Sequence, residues 1–320
     1  MRILISGAGG FLGSHLTDRF LSEGHTVIGV DNFCTGRRVN LAHLAHEPDF
    51  ELIEHDCIEP LDIHGKLDWV LHFASPASPP KYLARPEATL RVNSEGTRHL
   101  LDLAKRKGAK FFLASTSEVY GDPAVHPQPE GYWGNVNPIG ARSVYDEGKR
   151  YAEAITGCYG RAGLPVRIIR IFNTYGPRMD PADGRIVTNF ITQALANEPL
   201  TLYGNGEQTR SLQYVDDLVE GITRLMRVNY SMPVNLGNRE EYTVAQIAHL
   251  IRELTGSSSP FVHEPLPEDD PRQRRPDSTL ARQLLDWEAK IPARVGLMRT
   301  IEHYREVGTA TPLAHHAAAS

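Results

Sequence analysis

Three glycines, Gly7, Gly10 and Gly13, stand directly behind a short apolar run, Arg2–Ser6, and open a stretch in which Leu12, Leu16 and Phe20 recur four apart. A buried strand followed at once by an amphipathic helix leaves the chain little room to turn. Gly7 permits the tight turn, Gly10 lets the backbone approach a pyrophosphate, and Gly13 lets the helix pack closely on the strand. The helix start then offers free amides and a positive dipole end to phosphate. Glycine clusters are common in turns, so context must carry the reading. A second strand is predicted over Thr26–Val30, and Asp31 ends it, 18 residues after Gly13. A carboxylate there accepts hydrogen bonds from both adenosine ribose hydroxyls and repels a 2′-phosphate, which favours NAD over NADP. Arg37 and Arg38, close by in sequence, argue weakly the other way.

Further buried strands are predicted over Phe50–Ile53, Trp69–Phe73, Lys110–Ala114 and Val166–Ile171, all short, apolar and bounded by turn residues. Helical patterns lie between several of them, and Leu90, Leu100, Leu101 and Leu103 mark one. Such alternation implies right-handed crossovers and an α/β fold with a Rossmann-like, doubly wound parallel sheet. The second half is richer in proline, with helices predicted at Asp217–Met226, Val244–Leu254 and Leu297–Glu306, the second capped by Thr243 and Gly256. We expect residues 1–176 to form a dinucleotide-binding domain, 177–308 mainly a smaller substrate lobe with returns to it, and 309–320 a frayed tail.

A net charge of -5 leaves no electrostatic case for nucleic-acid or membrane binding. The N-terminus lacks a signal-peptide design and no apolar run approaches bilayer length, so a cytoplasmic protein is expected. Cys34, Cys57 and Cys158 have no metal-type spacing, so neither a metal site nor a disulfide framework is expected.

Tyr145 and Lys149, four apart, share one face of a helix. A tyrosine with a pKa near ~10 is a poor base at neutral pH. A lysine ammonium and a positively charged nicotinamide ring lower it, and the phenolate then removes a hydroxyl proton. The pair follows Ser115-Thr-Ser-Glu-Val-Tyr-Gly121 at a predicted strand end, where open parallel sheets gather ligands. Thr116 or Ser117 can bond the reacting hydroxyl, and Glu118 adds a carboxylate beside it. Asp56 suits the adenine amino group or an ordinary loop, and Asn93 a structural polar role.

With these residues, and with Asn173-Thr-Tyr-Gly-Pro-Arg178, the chain resembles the extended short-chain dehydrogenases acting on nucleotide sugars, from Arg2 to about Tyr304. Segments Asp31–Arg37, Ala74–Pro80, Ser115–Pro123, Asn137–Gly140 and Tyr145–Arg150 resemble the UDP-glucuronate decarboxylase branch in particular. Cys34, where that family often has an aromatic, and Val144, where small residues are common, are departures.

The resemblance implies an NAD-dependent conversion of UDP-glucuronate to UDP-xylose through C4 oxidation, loss of carbon dioxide and re-reduction. It implies catalytic roles for Thr116, Glu118, Tyr145, Lys149 and Arg274. Cofactor contacts are expected from Gly7, Gly10, Phe11, Leu12, Gly13, Asp31, Asn32, Thr35, Gly36, Asp56, Cys57, Phe73, Ser75, Ala114, Tyr145 and Lys149. Substrate contacts are expected from Arg91, Asn173, Arg185, Tyr203, Gln208, Arg210, Arg274 and Arg275. A homodimer through the helices of Tyr145 and Leu90–Leu103 is expected. A 4-epimerase, a 4,6-dehydratase and a non-catalytic NAD sensor remain the alternatives.

Overall fold

The computed structural model describes residues 1–266 and 273–308, so the tail expected over 309–320 lies outside the described residues. Six strands, β1 (Arg2–Ser6), β2 (Thr26–Asp31), β3 (Phe50–Glu54), β4 (Trp69–His72), β5 (Lys110–Thr116) and β6 (Val166–Ile171), are those expected from the apolar runs, to within two residues at each end. They form one parallel sheet with a seventh strand, Pro233–Leu236, in the order Pro233–Leu236, β6, β5, β4, β1, β2, β3. The order reverses between β1 and β4, where Ile3 stands beside Val27 on one side and Trp69 on the other. Crevices at such a reversal are where doubly wound sheets bind ligands.

Alternation along β1 sends Ile3 and Ile5 into one core and Leu4 into the other. The first core joins the helix Phe11–Ser22 to Leu218, Ile222 and Leu297 of the second half. The second packs Leu100, Leu101 and Leu103 under β4 and β5. Central strands are covered on both faces, which explains their continuous apolar runs. β3 corrects the expectation of burial: Glu51, Leu52 and Glu54 are exposed, because β3 is the sheet edge.

The helix expected across Leu90–Leu103 is broken. It consists of Pro86–Arg91, a wide π turn at Val92–Gly96 and Thr97–Lys107. The wide turn shifts the helical face, leaving Leu90 exposed while the later leucines are buried. The second-half helices run Val215–Arg227, Val244–Thr255 and Ala293–Val307. Thr243 and Gln246 cap the middle one reciprocally, and Gly256 ends it at φ 71°. Thr209–Ser211 pairs with Glu241–Thr243 and with Gln273–Arg274, and this small sheet carries Arg274 back toward the first half. Among the described residues, no helix is long and apolar enough to cross a membrane.

Candidate active site

The glycine turn is enforced sterically. Gly7 has φ 79°, and a side chain there would meet the backbone of Phe73 and Ala74 at 2.8 Å. A Cβ on Gly13 would lie 2.0 Å from the Gly7 oxygen, so helix and turn touch backbone to backbone. A cleft opens beside this turn, lined by Gly7, Gly10, Phe11, Leu12, Gly13, Thr35, Phe73, Ser75, Ala114, Tyr145 and Lys149. It continues into a pocket lined by Asp31, Asn32, Gly36, Asp56 and Cys57, with Gly7, Gly10, Thr35, Phe73 and Ser75 common to both. Every expected cofactor residue therefore borders one continuous crevice.

Asp31 is buried and accepts hydrogen bonds from the backbone nitrogens of Gly9 and Phe33, each at 2.8 Å. Burial pushes its carboxyl up, against those bonds and the Arg38 charge. Arg38 itself is held by Glu54 at 2.5 Å, so its charge is already partnered by a carboxylate. This favours a dinucleotide with a free 2′-hydroxyl, and the backbone cradle, the crevice and Asp31 together fit NAD. The Asn93 amide nitrogen donates to the Ser75 hydroxyl and the Thr89 carbonyl.

The other end of the crevice is assembled from β5, the turn after it and the helix Ser143–Arg161. Thr116 ends β5 and its hydroxyl accepts from the Glu118 nitrogen at 3.2 Å, turning the chain so that Glu118 faces the crevice. Tyr145 is buried, hydrogen-bonded to Thr116, and stacked on Tyr82 with ring centroids 5.1 Å apart and planes 4° from parallel. Lys149 is also buried and donates to the Ala114 oxygen at 2.9 Å, with its ammonium 5.8 Å from the Tyr145 ring centroid.

The electrostatics differ from the sequence argument in one respect. Burial, reinforced by the Glu118 charge, pushes the Tyr145 phenol well up. Burial also pushes the Lys149 ammonium down to about 7, with Glu153 opposing. A lysine that pays this desolvation penalty and bonds to a carbonyl does not by itself acidify the tyrosine.

Glu118 lies at the centre of a buried charge cluster. Arg142 reaches one of its oxygens at 2.5 Å and Arg274 the other at 3.1 Å. Burial favours the neutral acid, but Arg274 and Arg142 outweigh it and hold the Glu118 carboxyl down at about 2. Asp146 is hydrogen-bonded to Glu118, and burial together with the Glu118 charge pushes it up to about 8.

A second cavity opens on the far side of Glu118. Asn173, Arg185, Tyr203, Gln208, Arg210 and Arg274 line it, as expected of substrate residues. Glu118, Asn173, Thr174 and Arg185 border both spaces, so the crevice and this cavity meet there. Two expected residues are not brought in. Arg91 pairs with Glu95 one turn along its own helix at 2.9 Å, on a solvated face. Arg275 pairs with Glu241 at 3.2 Å, because neighbours on an extended strand point to opposite sides and Arg274 takes the inward one.

Sequence reasoning missed Lys81, Tyr82, Arg142 and Asp146. Lys81 lines the crevice and bonds Asp180 at 2.8 Å. Arg142 and Asp146 flank Tyr145, and that proximity in sequence was the one available signal.

Residues 3–237 match the family model described as the NAD dependent epimerase/dehydratase family. The chain is 55% identical over 306 residues to UDP-glucuronic acid decarboxylase 1 of Danio rerio, covering 95% of this chain and 72% of that protein. It is 54% identical over 308 residues to UDP-glucuronic acid decarboxylase 1 of Xenopus tropicalis, with the same coverage of 95% and 72%. Among solved structures, the UDP-glucuronic acid 4-epimerase of Bacillus cereus, in complex with UDP-glucuronic acid and NAD, superposes with a TM-score of 0.85 at 25% identity, over 96% of this chain and 100% of that one. The glycine turn, the continuous crevice and these likenesses agree: the chain belongs to the NAD-dependent epimerase/dehydratase family.

Proposed function

We propose that the protein converts UDP-glucuronate to UDP-xylose and carbon dioxide. The observation that carries this reading is the Glu118–Arg274 pair, 3.1 Å apart beside Tyr145 where the two cavities meet. The chain's identity of more than half to proteins named UDP-glucuronic acid decarboxylase supports it.

Bound NAD supplies a hydride acceptor for C4 and later the donor. Tyr145 takes the C4 hydroxyl proton and returns it at the end, and Thr116 holds the same oxygen in line. Lys149 holds the nicotinamide ribose. The carboxylate beta to the resulting ketone leaves as carbon dioxide, and its bonding pair passes to the enolate oxygen held by Tyr145 and Thr116. Glu118 and Arg274 act at the carboxylate and at C5. Asn173, Arg185, Tyr203, Gln208 and Arg210 receive the nucleotide diphosphate. The proposal includes a homodimer through the Tyr145 helix and the Leu90–Leu103 region, with residues 177–308 as the substrate lobe.

The test is NMR of the anomeric signals of UDP-glucuronate with the protein and NAD, while NADH absorbance is followed. UDP-xylose without lasting NADH is expected. A 4-keto pentose with stoichiometric NADH removes the final reduction. Retention of all six sugar carbons in the product overturns the decarboxylase reading in favour of an epimerase or dehydratase.

A further inference from the structure

We propose that Gln128 is the positioning residue for Arg274, fixing the backbone of the segment that carries this arginine into the site. The inference rests on the decarboxylase reading and adds to that site a residue that lines neither cavity.

Arg274 reaches the site from the far half of the chain. Its guanidinium bonds the Glu118 carboxylate at 3.1 Å and the Gly121 oxygen at 3.4 Å. The backbone behind it is a strand only two residues long, Gln273–Arg274, paired on one side with Thr209–Ser211. On the other side the loop that follows Glu118 closes on this segment at Gln128, which is fully buried. The Gln128 nitrogen donates to the Arg275 oxygen at 3.0 Å, and the Gln128 backbone oxygen accepts from the Asp277 nitrogen at 2.9 Å. Any residue but proline supplies those two bonds at this position. The third belongs to the side chain: Oε1 accepts from the Arg275 nitrogen at 2.9 Å. That N–H lies in the peptide plane that begins at the Arg274 Cα, so holding it fixes the base from which the Arg274 side chain departs.

The glutamine is itself held in place. Its Nε2 donates to the Val125 oxygen at 2.8 Å. Asn235, also fully buried and carried by the seventh strand of the central sheet, donates to the Gln128 oxygen at 2.9 Å and to the Asp277 oxygen at 3.2 Å. The same side chain accepts from the Tyr120 hydroxyl at 2.7 Å. Loop and Arg274 segment are therefore tied to the sheet together. One stretch of chain, from Glu118 to Gln128, holds Arg274 by its guanidinium at one end and by its backbone at the other. The protein, and not the arriving substrate, sets the direction of that guanidinium, and such preorganisation of charge is what an active site supplies to a reaction.

The test compares Gln128→Met and Gln128→Glu with the parent enzyme, measuring kcat/KM for UDP-glucuronate and the inhibition constant of UDP-glucose. UDP-glucose carries CH2OH where the substrate carries the carboxylate. Methionine fills similar space and offers no acceptor to the Arg275 N–H. A shift of about 1 Å in the Arg274 guanidinium predicts a fall in kcat/KM of about 10- to 100-fold for the Met variant, with the UDP-glucose constant within about threefold of the parent's. A buried, neutral glutamic acid reproduces both side-chain bonds of the amide, so the Glu variant at pH 6 is expected within about fivefold of the parent. A UDP-glucose constant that worsens in step with kcat/KM would make Gln128 merely structural and overturn the proposal. An unchanged kcat/KM for the Met variant would overturn it as well. If the Met variant does not fold, Gln128→Asn takes its place: it keeps a buried amide but draws the acceptor back by one carbon, and the same two outcomes apply. The parent enzyme's release of carbon dioxide from UDP-glucuronate reads the decarboxylase assignment by itself, and the ratio of variant to parent reads only the role of Gln128.

Discussion

Replacing Lys149 by methionine should make the protein more stable while disabling it. The side chain is buried, and burial takes its ammonium from 10.5 down to about 7. At about 1.4 kcal/mol per tenfold change in proton affinity, holding the lysine there costs folding at most about 5 kcal/mol. Methionine fills similar space without a charge. It forfeits the bond to the Ala114 oxygen, worth about 1 kcal/mol. The net gain at pH 7 is at most about 4 kcal/mol. With an unfolding entropy near 2.1 cal/mol/K per residue, the chain's Tm rises by at most roughly 6 °C.

The pH dependence supplies the sign. The folded value lies below the unfolded one, so between pH 7 and 10.5 the unfolded chain holds more protons and parent stability climbs with pH. The advantage of the variant is thus full below pH 7 and closes toward pH 10.5. Calorimetry of both cofactor-free proteins across pH 6 to 9.5 measures this directly, and turnover should fall by about 100-fold or more. A variant that melts lower at pH 7, or a gap that does not narrow with pH, would refute the reasoning.

Three further outcomes are expected. Tyr145→Phe should lower kcat by about 1,000-fold or more, while UDP binding followed by calorimetry stays within threefold, because the hydroxyl is the proton carrier and the ring packing on Tyr82 survives. Gly13→Ala should abolish soluble expression or cofactor binding, since its Cβ would lie 2.0 Å from the backbone oxygen of Gly7; a variant that binds NAD normally would show that the turn relaxes. Glu118 contributes stability that is present above its unfolded value of 4.5 and is lost as pH falls toward its folded value of about 2. Acid unfolding of Glu118→Gln should therefore show a shallower slope than the parent between pH 4.5 and 2.

What could be read from the chain alone was local. Five short apolar runs and Val166–Ile171 announced six strands, because a strand buried on both faces must be apolar throughout. Gly7, Gly10 and Gly13 announced the cofactor turn, since a side chain at Gly7 or Gly13 would strike backbone. Thr243 and Gly256 marked their helix ends for equally local reasons. The edge position of β3 and the π turn at Val92–Gly96 were not legible, because each depends on which neighbours a segment meets. The charge cluster was half legible. Glu118 and Arg274 were named through family resemblance, but nothing along the chain says that Arg142 and Arg274, 132 residues apart, meet on one carboxylate. Nor does it say that burial overrides the expected acidifying effect of Lys149 on Tyr145. Residue types and spacings encode backbone geometry at short range; ionisation states belong to the tertiary structure, since desolvation and pairing exist only once distant segments have closed around a charge.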